Sequence, residues 1–298
     1  MDYHIFIQSL HDIRAVSYVL VASATLMIHE WSMLFEQEVT LIWHSPWNLV
    51  KILYLMSRYF PIIDVAIALQ EHIQPRADPK ICLINNNIST VSAGVGIAIS
   101  ELILIVRTCA LYGNYKRAVY GLGLVWAIWV SANIWVLITF MKSTVFEYQP
   151  SSVLPGCYLA SESPVIFVCF ASLLLLEAVL LVLHVWKALR LLRGSRNALV
   201  STFFRDGVIY YICLFPLALA NVLVILLAPD DMLDLLDTLM RVFHSTMCCR
   251  LLLGLRQAAV ATQRGSISTT LPISGHIAFG TQTVDGEGSM STQDSCML

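Results

Sequence analysis

Seven stretches of this chain stay apolar for the length of a membrane crossing, and nothing else limits the fold as strongly. They cover 15–35, 49–69, 88–111, 118–141, 164–187, 207–228 and 233–254. About 20 mostly apolar helical residues cross the roughly 30 Å of hydrocarbon in a bilayer. The breaks between the stretches are polar or carry turn formers: HSPW, QPRADPK, YGNYKR, YQPSSVLPGC, RGSRN and APDD. An open strand cannot satisfy its backbone in lipid, and no alternating ten-residue pattern marks a barrel, so helices are expected. Composition agrees, since only 13% of residues are charged against about a quarter in soluble domains. The expectation is an all-α, polytopic membrane protein, a bundle of seven transmembrane helices. The seventh stretch is the most polar, with Asp234, Asp237, Arg241 and His244 in its first half. No positively charged segment with a cleavage site precedes the first stretch, so no removable signal peptide is expected.

Seven crossings place alternate loops on one side. Lys51, Lys116, Arg117, Lys187, Arg190, Arg193, Arg196, Arg205, Arg250, Arg256 and Arg264 share a side, against Arg14, Arg76, Lys80 and Lys142 on the other. The positive-inside rule makes the richer side cytosolic and puts the amino terminus outside. The expected organisation is an outer segment 1–14, a membrane domain 15–256 and a cytosolic tail 257–298. The tail is rich in Ser, Thr and Gly, lacks helical period and is expected to be disordered. Within it RGSIS is a phosphate-acceptor pattern, and the terminal SCML is not a prenylation box because Cys296 is third from the end. Of the 8 cysteines, Cys82 and Cys157 lie in loops assigned to the oxidising side. A disulfide between them is expected; two free thiols are the alternative, because spacing does not fix connectivity. Asn87-Ile88-Ser89 fits the glycosylation pattern but lies so close to the third helix that it is expected to be unused.

The run FEQEVTLIWHSPWNLVKILYLMSRYFPIID carries Glu36, Glu38, Ile42, Trp43, Trp47, Lys51, Arg58, Tyr59, Pro61 and Asp64. It resembles an uncharacterised fungal membrane family, domain of unknown function 6533. In that family an acidic turn leads to Ile-Trp, a second Trp, a Lys, then Arg-Tyr-x-Pro and an Asp. ELILIVRTCALYG, FRDGVIYY and RVFHS with CRLLLGLR look like further matches. The resemblance implies a seven-helix integral membrane protein and supplies no established activity.

A charge at mid-helix costs roughly 2.5–3.5 kcal/mol on insertion scales, so it faces the bundle and finds a partner. At ~1.5 Å per residue, Arg58 and Glu101 lie about 10 Å from the cytosolic face, and Asp64 and Arg241 about 10 Å from the outer face. Two interhelical pairs are therefore expected, Arg58–Glu101 and Asp64–Arg241. Pro61 between the two helix-two charges is expected to bend the helix and free a carbonyl for a neighbour. Glu177 and His184, seven apart, share a helix face; with His244 they are candidates for lining an inner cavity. His29-Glu30 reads as snorkelling at an edge, Arg107 as positive-inside placement, and Lys187, Arg190 and Arg193 as headgroup contacts or a docking face.

No P-loop, GxGxxG, HExxH, GxSxG or CxxC occurs in a usable context. The histidines are scattered over depth without an HxxxH pattern, so an intramembrane hydrolase is the least favoured reading, and no catalytic residue, cofactor or metal site is expected. Without an internal repeat, a small-solute transporter or channel is the alternative. The favoured reading is a receptor-like or sensor protein with the layout of a G-protein-coupled receptor. The helix-three acid-arginine-tyrosine triplet and the helix-seven Asn-Pro-x-x-Tyr of those receptors are absent. Expected partners are the lipid bilayer, an unidentified ligand and a cytosolic protein at the basic inner loops; nothing points to nucleic acid.

Overall fold

The computed structural model describes residues 3–73, 78–112, 116–148, 157–161, 163, 165–194, 198–227, 232 and 235–269. Among these there are seven α-helices: α1 (Tyr3–Glu38), α2 (Leu49–Ile73), α3 (Pro79–Leu111), α4 (Lys116–Ser143), α5 (Ile166–Gly194), α6 (Ala198–Leu227) and α7 (Asp237–Thr269). A π-helical turn, Val39–Trp43, prolongs α1. A two-stranded antiparallel hairpin, β1 (Val145–Glu147) and β2 (Tyr158–Ser161), stands between α4 and α5. The protein is all-α apart from this hairpin. Among the described residues six helices, α1 to α6, are long and apolar enough to cross a membrane, which fits a multi-pass membrane protein, while α7 of the expected seven falls short in hydropathy.

The helices run longer than the apolar stretches. α1 starts at Tyr3, so the segment 1–14 is mostly helix rather than a separate outer arm. α3 starts at Pro79, where Asp78 accepts a hydrogen bond from the Lys80 amide at 3.0 Å and proline occupies the first turn. α7 continues to Thr269, which corrects the expectation of a disordered tail from 257. The run RQAAVATQR is made of good helix formers, and no proline follows before Pro272. Residues 270–298, including Cys296, lie outside the described residues, as does Arg76.

The bundle is apolar on its outside. Tyr18, Ile28, Phe35, Leu124, Ile128, Trp135, Leu175, Val182, Ile212 and Leu226 are exposed, a surface that water would penalise and lipid accepts. The interior mixes Leu, Ile, Tyr and Cys from α2, α3, α5, α6 and α7 with Arg58, Asp64, Glu101, Glu177 and His244, all buried. α7 packs against α1, α2, α3 and α6 and turns Met240, Val242, His244, Cys248 and Cys249 inward. Its polar residues lower its hydropathy; Arg241 and His244 are turned into the bundle, whereas Arg250 is exposed.

Several close approaches fix the remaining helices. At Gly94 a Cβ would lie 2.8 Å from Leu137 Cδ1, so the absent side chain lets α3 and α4 meet. Trp129 Nε1 and Asn133 Nδ2 of α4 both donate to Ser172 Oγ of α5. Cys82 in the first turns of α3 is bridged to Cys157, which ties the hairpin strand β2 to α3. Asn87 lies inside α3 and its neighbour Ser89 is committed to a buried hydrogen bond.

Candidate functional site

Charged polar regions of the bundle lie at the α1–α2 junction and in the centre. At the junction Glu38 is buried at the end of α1, 1% exposed. Its Oε2 is 2.6 Å from Arg58 Nε, and its Oε1 accepts from Trp43 Nε1 at 3.2 Å and Tyr59 OH at 3.0 Å. Arg58 Nη2 donates to the Trp31 carbonyl at 3.0 Å, and its guanidinium lies over the Trp31 ring at 5.3 Å. Trp31 in turn meets Tyr59 edge-on at 5.4 Å. The π-helical turn leaves carbonyls without intrahelical partners. Lys51 Nζ donates to those of Trp43 and Ser45 at 3.1 and 2.9 Å. Arg256 of α7 donates to the Leu41 carbonyl and to Asn48 Oδ1, both at 2.9 Å, and to Ser45 Oγ. Two cations thus clamp the loop from either side.

Residues 18–63 match the model of a family described as Family of unknown function (DUF6533). No curated protein matches the chain. The matched residues cover the later part of α1, the π-helical turn and the first part of α2. Within the matched residues, Glu38, Trp43, Lys51, Arg58 and Tyr59 are members of this junction network. Asp64 and the likenesses in helices three, six and seven lie beyond the matched residues.

Arg58 is paired with Glu38, which corrects the expected Arg58–Glu101 pair. Side chains on a helix tilt toward its amino terminus. α2 begins at Leu49, so Arg58 reaches back toward the α1–α2 turn. α3 runs the opposite way, and Glu101 points instead into the bundle centre. Equal depth of two Cα atoms was not enough to make a pair.

In the centre, Asp64 Oδ1 lies 2.6 Å from Arg241 Nη1 and accepts from Ser89 Oγ at 2.6 Å. Arg241 also meets Asp237 at 3.0 Å and Thr238 Oγ1 at 3.2 Å on its own helix. Below this pair Pro61 lies inside an unbroken α2. Lacking an N–H, it leaves the Ser57 carbonyl four residues back without its helical donor. Ser245 Oγ of α7 donates to that carbonyl at 2.6 Å.

One turn of α7 on from Arg241, His244 stands between two carboxylates. Its Nε2 is 2.9 Å from Glu177 Oε1 on α5, and its Nδ1 is 3.8 Å from Glu101 Oε1 on α3. All three side chains are at most 1% exposed. One ligand atom from each can be chosen so that all lie within 4.8 Å of one another. The sequence left Glu101 outside this set by giving it to Arg58. A cavity of about 20 Å³ opens beside His244, lined also by Asp64, Ser92, Gly96, Ser100 and Ser245. That is room for about one water.

Of the three residues expected to line a cavity, only His244 does so. Glu177 reaches the cavity through His244. His184, two turns further along α5, belongs to a separate cluster. Its Nδ1 is 3.2 Å from Thr108 Oγ1, which lies 3.3 Å from Tyr211 OH, and the His184 and Tyr211 rings are 4.6 Å apart. Glu30 does not simply snorkel, because Arg250 of α7 holds it through two hydrogen bonds of 2.8 and 2.9 Å. Arg107 is buried beside the Tyr210 ring at 5.7 Å. Lys187 and Arg190 lie over Tyr112 and Trp186.

Proposed function

We propose that this chain is a seven-helix membrane protein of the receptor or sensor type, with its amino terminus outside and its carboxyl-terminal segment in the cytosol. The observation that carries the reading is the polar interior of α7. Along one face this helix meets Asp64, Ser57, Glu101 and Glu177, contributed by α2, α3 and α5, and on the other side its exposed Arg250 meets Glu30 of α1. A helix whose charges are all answered inside a bundle can cross a bilayer despite its modest hydropathy. Paired buried groups also have discrete arrangements, as a switching element requires. The cavity beside them is far below the roughly 300–1,000 Å³ of a small-molecule pocket, which favours signal transmission by helix movement over passage or turnover of a solute. A ligand would act from the disulfide-tied end or from the bilayer, and a cytosolic partner would meet the basic end, where Lys187 and Arg190 stand.

A small-solute transporter or channel is the second reading. The polar lining between Asp64 and His244 favours it. Proteoliposomes holding the full chain distinguish the two. A sensor leaves proton, ion and osmolyte permeability at the level of protein-free vesicles, measured with an internal pH dye and by stopped-flow swelling. Permeability well above that level would replace the sensor reading with the transporter.

A further inference from the structure

We propose that Glu101, Glu177 and His244 form a buried binding site for a divalent first-row transition-metal ion. The site draws one ligand from each of α3, α5 and α7. All six nitrogens and oxygens of the three side chains are buried; His244 Nε2 and Glu177 Oε1 approach each other at 2.9 Å, and neither oxygen of Glu101 has a hydrogen bond. Buried polar atoms are ordinarily satisfied, so a fully buried carboxyl group with neither oxygen hydrogen-bonded, as in Glu101, marks a place where something else binds.

Charge points the same way. The carboxylate of Glu38 has Arg58 at 2.6 Å, and that of Asp64 has Arg241 at 2.6 Å. Among the described residues, neither Glu101 nor Glu177 has a lysine or arginine within ion-pair distance; they meet His244 and each other. Deprotonated, as metal ligands must be, the three groups would carry two negative charges. A divalent cation brings that sum to zero, which a low-dielectric interior strongly favours.

The donor set narrows the ion. One imidazole with two carboxylates and no thiolate suits zinc, manganese or ferrous iron rather than the soft cuprous ion. The nearby Cys248 Sγ is engaged with the Ser100 carbonyl at 3.6 Å. Ligand atoms of a tetrahedral zinc site lie about 3.4 Å apart at bond lengths near 2.1 Å. The present spread within 4.8 Å closes to that by small side-chain rotations. The cavity that His244 lines has room for about one water, a further ligand beyond the three protein atoms. This assignment does not depend on the choice between sensor and transporter.

The test uses full-length protein in detergent, stripped with a chelator, re-equilibrated with zinc and freed of excess by gel filtration. About one zinc per chain should be retained, with an X-ray absorption shell of nitrogen and oxygen near 2.0–2.1 Å that includes an imidazole and no sulfur. Glu177→Gln and His244→Gln should each weaken zinc retention at least about tenfold, whereas His184→Asn should not. Retention below about half an equivalent overturns the site, and is the result expected if protons alone hold the cluster. A sulfur shell, the absence of imidazole, or undiminished zinc in either variant overturns it as well. Should the variants fail to fold, the wild-type absorption spectrum decides alone.

Discussion

At Glu38 a single carboxylate gathers Arg58, Trp43 and Tyr59, so its loss strands a buried guanidinium. Glu38→Gln and Arg58→Ala should each destabilise the protein by about 3–5 kcal/mol, the scale for breaking a buried ion pair. The double variant should lose far less than the sum, while Arg58 and Glu101 variants should add independently. Thermal unfolding in detergent reads both cycles. Asp64 and Arg241 should behave asymmetrically. Arg241→Met leaves Asp64 buried beside Ser89 alone, but Asp64→Asn leaves Arg241 with Asp237. The arginine variant should therefore be the less stable of the two on the same assay. Depth along the helix axes suffices to set Asp64 opposite Arg241. It fails for Arg58 because a long side chain's direction, fixed by helix polarity, matters as much as its level. The Glu101–Glu177–His244 cluster was legible only in part, since Glu177 and His244 were cavity candidates but Glu101 was not. Three residues from three helices share no spacing in the sequence, and Glu101 had already been given another partner.

Between elements, α2 and α7 are joined where proline breaks the hydrogen-bond ladder. Ser245→Ala should cost about 1–2 kcal/mol by leaving the Ser57 carbonyl without its donor. In a Pro61→Ala background that penalty should shrink, because alanine restores the helical N–H. Thermal unfolding of the four proteins closes this cycle, and an equal penalty in both backgrounds would remove the α2–α7 link from the account. The pairing of Cys82 with Cys157 is open to peptide mapping without reduction, which should recover one linked species; the Cys82→Ser variant should lose about 2–4 kcal/mol. The sequence marks the existence of these elements well because apolar length and turn residues are strong local signals. Their ends are less legible. The π-helical turn at 39–43 depends on Lys51 and Arg256 reaching its carbonyls, and those contacts form only once α1, α2 and α7 have assembled.

For the whole molecule the governing pattern is apolar residues outward and charges inward. The same pattern explains why α7 is the most polar of the seven stretches: its Arg241, His244 and Arg250 count against hydropathy although each meets an acid on another helix. Whether α7 crosses the bilayer decides the architecture and sets the membrane frame for the central polar core. The direct measurement is the side on which each terminus lies, read by selective permeabilisation of cells carrying a tag at either end. Seven crossings put the termini on opposite faces, with the carboxyl-terminal tag in the cytosol and the amino-terminal tag across the membrane. Both tags on one face would mean six crossings and would contradict the account.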